Sequence, residues 1–183
     1  LINYIIDTSI FNETNLHRKG FGFTPNAISK ISKLYNYIEI GVPVLVEGPT
    51  ATSKTISIEV ACQLSNRKLI KINCCSENNP FYLINNFLYD QNSLKGISMA
   101  PGQFVDAYKN GHTILLDQID LANQECLQFI AKALDSKVLS IDIPGKPFEE
   151  IKMHENFRLV ATMNSINNHY TNKRQSIDTK VLS

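Results

Sequence analysis

Residues that could do chemistry fall in three short stretches. The first is Gly48-Pro49-Thr50-Ala51-Thr52-Ser53-Lys54-Thr55. It follows the spacing G-x-x-x-x-G-K-[ST], except that Ser53 stands where the second glycine is usual. In such a loop, backbone N–H groups turn inward around phosphate oxygens, and the helix that follows points its positive end at them. Lys54 is placed to reach the β- and γ-phosphates, and Thr55 to hold Mg2+. A bare Gly-Pro turn could produce part of this pattern by chance. A buried strand before it and a helical run after it favour phosphate binding. The expected ligand is ATP, or a closely similar nucleoside triphosphate, with Mg2+. No Asn-Lys-x-Asp guanine signature is present, which argues against a dedicated GTPase.

The second stretch is His112-Thr113-Ile114-Leu115-Leu116-Asp117-Gln118. A carboxylate at the end of a buried apolar strand needs a partner, and a magnesium ion with its waters supplies one. Asp117 alone would be an ordinary strand end. Downstream of a phosphate loop it becomes the second candidate Mg2+ residue, beside Thr55. The third stretch, Phe157-Arg158-Leu159-Val160-Ala161-Thr162-Met163-Asn164, is another apolar strand with an amide just after it. Asn164 is placed to touch a γ-phosphate or an attacking water, although a lone asparagine in such a position is more often a turn former.

These residues need elements to position them. Thr24-Pro25 reads as an N-cap with proline at the first helical position, and Ile28, Ile31, Leu34 and Ile38 continue at helical spacing to a stop at Gly41. Strands are predicted at 43–46, 68–73, 113–117 and 157–162, and helices at 54–64, 103–109 and 123–134. A short helix is predicted at 81–88 and a hairpin at 94–99. A second hairpin is predicted from 138–143 and 148–153, turning at Pro144-Gly145. Residues 165–180 read as a polar loop. Alternation of helices with continuous apolar strands predicts an α/β fold with a parallel sheet covered on both faces.

Composition sets wide bounds. The chain has 183 residues, 43% hydrophobic and 19% charged, with a net charge of +1. That size supports one domain with a sizeable core. The near-neutral charge argues against general attraction to nucleic acid or to an anionic membrane. No apolar run is long enough for a membrane helix, and no signal peptide is visible. Cys62, Cys74, Cys75 and Cys126 form no C-x-x-C pair, and the four histidines lack metal-ligand spacing. Reduced thiols and an intracellular setting, cytoplasmic or nuclear, are the expectation.

Taken in order, the motifs resemble an AAA+ ATPase module of the dynein-related, midasin-like group. The resemblance rests on Pro43-Val44-Leu45-Val46-Glu47-Gly48-Pro49-Thr50, on the stretch 111–122 around Asp117, and on 156–164. It implies a P-loop NTPase three-layer sandwich over residues 24–183, with 1–23 as a lead-in. It also implies that 48–55 is Walker A, that Asp117 closes Walker B, and that Asn164 is sensor 1. Asn73 would be the polar residue that restrains the catalytic glutamate. Residues 94–100 would be the helix-2 insert, and 138–153 the pre-sensor-1 hairpin. On this resemblance the chain starts and stops inside a longer polypeptide, before the arginine finger, last strand and lid. Implied partners are neighbouring AAA+ modules in a ring and a macromolecular substrate; nucleic acid and membrane are not expected.

Two positions depart from the family pattern. Gln118 stands where a glutamate usually polarises the attacking water, and an amide cannot accept a proton. Binding with weakened hydrolysis is therefore expected. Ser53 adds a side chain where the backbone must approach phosphate. The resemblance implies an ATP-binding module of a larger mechanochemical or remodelling machine, and two alternatives stand beside that reading: a regulatory module that holds ATP without turnover, and a DNA-translocating ring component.

Overall fold

The computed structural model describes residues 22–76, 80–89, 97–141 and 149–165. Helix α1 spans Pro25–Ile40. The Thr24 side chain accepts from Ala27 N–H, and Gly41 closes the helix in the left-handed conformation at φ 88°. Strand β1 (Val44–Gly48) leads into the loop, and α2 (Lys54–Leu64) leaves it. Then follow β2 (Leu69–Asn73), α3 (Pro80–Ile84), β3 (Asn85–Tyr89), β4 (Ile97–Pro101), α4 (Gln103–Asn110) and β5 (Thr113–Asp117). A 3-10 turn (Ile119–Leu121), α5 (Gln124–Ser136), β6 (Val138–Ile141), β7 (Glu149–Lys152) and β8 (Arg158–Asn164) complete the described elements.

The central sheet has four parallel strands in the order β1-β8-β5-β2. Alternate residues of its inner strands feed two cores, because side chains on a strand point to opposite faces in turn. Leu115 and Val160 pack with α1 and α2 through Ile31, Ile38, Ile58 and Ala61. Ile114, Leu116, Leu159 and Ala161 pack on the other side with Phe104, Tyr108, Leu127 and Ile130 of α4 and α5. This is the three-layer α/β sandwich expected from the uninterrupted apolar strands. Among the described residues β1 lies at a sheet edge, and Leu45 on it is exposed.

Residues 81–88 do not form a single helix. The helix ends at Ile84, and Asn85–Tyr89 becomes a strand paired antiparallel with Ile97–Pro101. Asn85-Asn86 favours helix weakly, and cross-strand partners decide the outcome. The hairpin expected at 94–99 is thus the second arm of a wider one, with 90–96 outside the described residues. Gly102 joins this hairpin to α4. A Cβ there would come within 2.4 Å of the Leu83 carbonyl oxygen, so the close approach requires glycine. The hairpin expected over 138–153 pairs β6 with β7, Val138 opposite Lys152. Its turn at 144–145, residues 1–21 of the 1–23 lead-in and the loop beyond Ser165 lie outside the described residues.

Candidate nucleotide site

Parallel register brings four strand ends to one edge of the sheet. Gly48 of β1 aligns with Asn164 of β8, and Asn73 of β2 aligns with Asp117 of β5. In open α/β sheets the crevice beyond the carboxyl ends of the strands is where ligands sit. β1 and β2 are consecutive in sequence among the four sheet strands but lie at opposite edges, so the chain crosses the sheet immediately after the loop.

Within the loop, Ala51 and Ser53 both have positive φ, 61° and 58°. Left-handed residues interspersed in a turn make successive N–H groups converge, the geometry of an anion-binding concavity. The Thr52 hydroxyl donates to the Pro49 carbonyl at 2.8 Å and closes the turn. Helix α2 starts at Lys54 with no acidic residue in its first turn, so nothing there opposes an anion at its positive end.

Ser53 adopts the backbone that a glycine would, at a steric cost of about 1–2 kcal/mol for an L residue. Its side chain makes no cap hydrogen bond in return. Ser53→Gly is therefore expected to raise stability by about 1 kcal/mol, or roughly 2–4 °C in melting temperature for a chain of this size. Thermal denaturation followed by circular dichroism checks this. A fall in melting temperature would mean that the serine stabilises the loop in some other way.

Lys54 Nζ donates to the Gly48 and Pro49 carbonyls at 2.8 and 2.7 Å and to Asn164 Oδ1 at 3.0 Å. The ammonium thus lies at the mouth of the loop, on acceptors that phosphate oxygens can replace. The Thr55 hydroxyl lies 3.3 Å from both carboxylate oxygens of Asp117. A hydroxyl beside a carboxylate is a hard-oxygen donor pair of the kind Mg2+ takes, with water and phosphate filling the remaining positions. These residues fit the ion.

Burial pulls the Asp117 carboxyl upward, but the opposing contacts prevail. The Lys71 hydrogen bond, the Thr162 hydroxyl, the Lys71 charge and the Thr55 hydroxyl together hold it below the usual carboxylate value. A carboxyl depressed in the folded state stabilises the fold above its ordinary pKa, and that contribution is lost only as pH falls through the lowered value. The Asp117 carboxylate is therefore ionised across neutral pH.

Gln118 follows in the left-handed conformation, φ 58° and ψ 54°, with its residue exposed and its N–H donated to the Thr162 hydroxyl at 3.0 Å. Asp120, the nearest other carboxylate in sequence, is buried in the 3-10 turn. Asn164 is buried beside Lys54.

Thr162 and Lys71 belong to this cluster, and the motif reading singled out neither. Thr162 bridges Asp117 Oδ1 and the Gln118 N–H. Lys71 Nζ lies 2.8 Å from Asp117 Oδ2. The only local signal for Lys71 is its position two residues before Asn73 on a strand, which sends both toward the same sheet face. The thiols lie outside this chemistry: burial raises Cys74 to about 12, and among the described residues Cys62, Cys74, Cys75 and Cys126 form no disulfide.

Residues 43–183 match the family model described as the AAA domain, dynein-related subfamily. The chain belongs to this family. The matched AAA region holds the loop at 48–55, Asp117, Gln118 and Asn164, and it begins just after α1. This AAA+ module is 27% identical over 158 residues to midasin of Dictyostelium discoideum and 26% identical over 157 residues to midasin of Giardia intestinalis. Each alignment covers 84% of this chain but only 3% of the midasin, so the chain spans a small fraction of those relatives. A crystal structure of a Cytophaga hutchinsonii protein, described provisionally as an ATPase, superposes with a TM-score of 0.62 at 18% identity. It covers 85% of this chain and 46% of that one, and it bears on the fold alone. Among the described residues, no helix of the AAA module is long and apolar enough to cross a membrane.

Proposed function

We propose that this AAA+ module binds ATP with Mg2+ at residues 48–55 and Asp117, and that Gln118 leaves it slow in hydrolysis. The reading is carried by one observation. Lys54 and Thr55, adjacent at the start of α2, reach Asn164 of β8 and Asp117 of β5 in two hydrogen-bonding pairs at the carboxyl edge of the sheet, and Lys54 also bonds the Gly48 carbonyl of β1. In this reading Lys54 neutralises the terminal phosphates. Thr55 and Asp117 hold Mg2+, which supplies charge neutralisation at the phosphates when bound. Asn164 orients the water or the γ-phosphate through its amide. Gln118 can hold a water but cannot take its proton.

Residues 24–183 then form the nucleotide-binding core, working beside neighbouring AAA+ modules in a ring that remodels a macromolecule. The midasin relatives, much longer chains, support a place within a larger assembly. The regulatory reading, ATP held without turnover, draws its support from Gln118 alone. DNA translocation has less behind it, since the net charge is +1.

Equilibrium dialysis with ATP and with GTP, each with and without Mg2+, tests the binding reading. Saturable one-site binding of ATP that strengthens with Mg2+ is the expected result. A chain that retains no ATP under either condition would overturn it.

A further inference from the structure

The carboxylate of Asp117 already has a cation. Lys71 and Asn73 point to the same face of β2 near the end that meets Asp117, and Lys71 Nζ contacts Asp117 Oδ2 at 2.8 Å. Thr162 occupies Oδ1, so both carboxylate oxygens are engaged before any metal arrives. The Asp117 side chain is 16% exposed, and that of Lys71 is 40% exposed. This is a partly sheltered pair, which solvent and salt screen less than a surface one.

A Mg2+ ion between Thr55 and Asp117 needs local negative charge, and here the single charge of Asp117 is matched by Lys71. Among the described residues, no group of three or more His, Cys, Asp and Glu side chains converges to add more. A divalent ion and an ammonium on one carboxylate repel each other strongly. The lysine has a means of yielding: a flexible four-carbon stem and an exposed side.

We propose that Lys71 is an internal counter-cation that competes with Mg2+ for Asp117. The metal is then held efficiently only with the triphosphate, whose negative charge offsets the repulsion between the ion and the lysine. This rests on the ATP·Mg2+ reading of the site and adds a control on metal loading. A merely structural ion pair would have the same geometry, and the metal response separates the two.

Lys71→Met keeps the aliphatic stem and removes the charge, whereas Lys71→Arg keeps the charge. ATP affinity is measured by competition against a fluorescent ATP analogue over a series of Mg2+ concentrations and in EDTA. With Lys71→Met, the Mg2+ concentration that half-maximally strengthens ATP binding is expected to fall about tenfold, or roughly 1.4 kcal/mol. Lys71→Arg should stay near the unmodified chain. In parallel, thermal unfolding without nucleotide should show Mg2+ stabilising the Lys71→Met chain more than the unmodified one. An unchanged Mg2+ response in Lys71→Met would overturn the competition, and a shift to higher Mg2+ would mean that Lys71 orients Asp117 for the metal instead. In either case ATP binding by the unmodified chain leaves the reading of the site intact. Failure of the unmodified chain to bind ATP would overturn both.

Discussion

Steady-state phosphate release by the unmodified chain is expected to be very slow, and Gln118→Glu alone should change it little. Two deficits act in series. A positioned general base contributes about 10²–10⁴-fold to rate, and the Gln118 amide cannot serve as one. An arginine supplied by a neighbour is worth about 10³–10⁵-fold in phosphoryl transfer, and a module alone has no neighbour. Asp120, the nearest other carboxylate in sequence, is buried in the 3-10 turn, whereas Gln118 is exposed at the strand end. Groups that act as a unit on one transition state are grossly non-additive, so restoring the base alone in the isolated module recovers little. Within a ring whose neighbours contribute arginine, Gln118→Glu should raise turnover by at least about 10²-fold. Phosphate release measured for both proteins, alone and assembled, checks this. Brisk hydrolysis by the unmodified chain alone would contradict it and would point to another carboxylate as the working base.

Much of the site was legible in the sequence because its residues sit at boundaries that local chemistry marks. Thr24-Pro25 and Gly41 bracket α1 through a side-chain cap and a left-handed close. Lys54 opens a helix, while Asp117 and Asn164 close uninterrupted apolar strands. Ser53 kept the backbone of the loop despite its side chain, since left-handed φ is costly for serine but accessible. Thr162 and Lys71 were hidden for a different reason. Their contacts with Asp117 depend on β5 lying between β8 and β2, a spatial order that no local pattern encodes. The segment 85–88, predicted as the end of a helix, differs on similar grounds. Its strand character comes from pairing with 97–101, and local propensity yields to a partner across the hairpin.

Lys54→Ala carries the second large effect, a loss of ATP affinity of at least tenfold. In the structure the ammonium rests on two backbone carbonyls and the Asn164 amide oxygen, all neutral acceptors. The ammonium already makes charge-assisted bonds to these, and anionic phosphate oxygens add the attraction of opposite charges. Hydrogen bonds to charged groups contribute about 1.5–3 kcal/mol, so a tenfold loss, about 1.4 kcal/mol, is the modest end of what removal should cost. The fold should survive, because the Lys54 residue is only partly buried and its contacts belong to the loop rather than to either core. A stability change within about 0.5 kcal/mol is expected.

Isothermal titration of ATP with Mg2+ into the unmodified and Lys54→Ala chains tests the central claim most directly. The predicted result is one site per unmodified chain and at least tenfold weaker binding after substitution, with superimposable circular dichroism spectra. Equal affinity in two equally folded proteins would contradict the assignment of residues 48–55 as the phosphate loop.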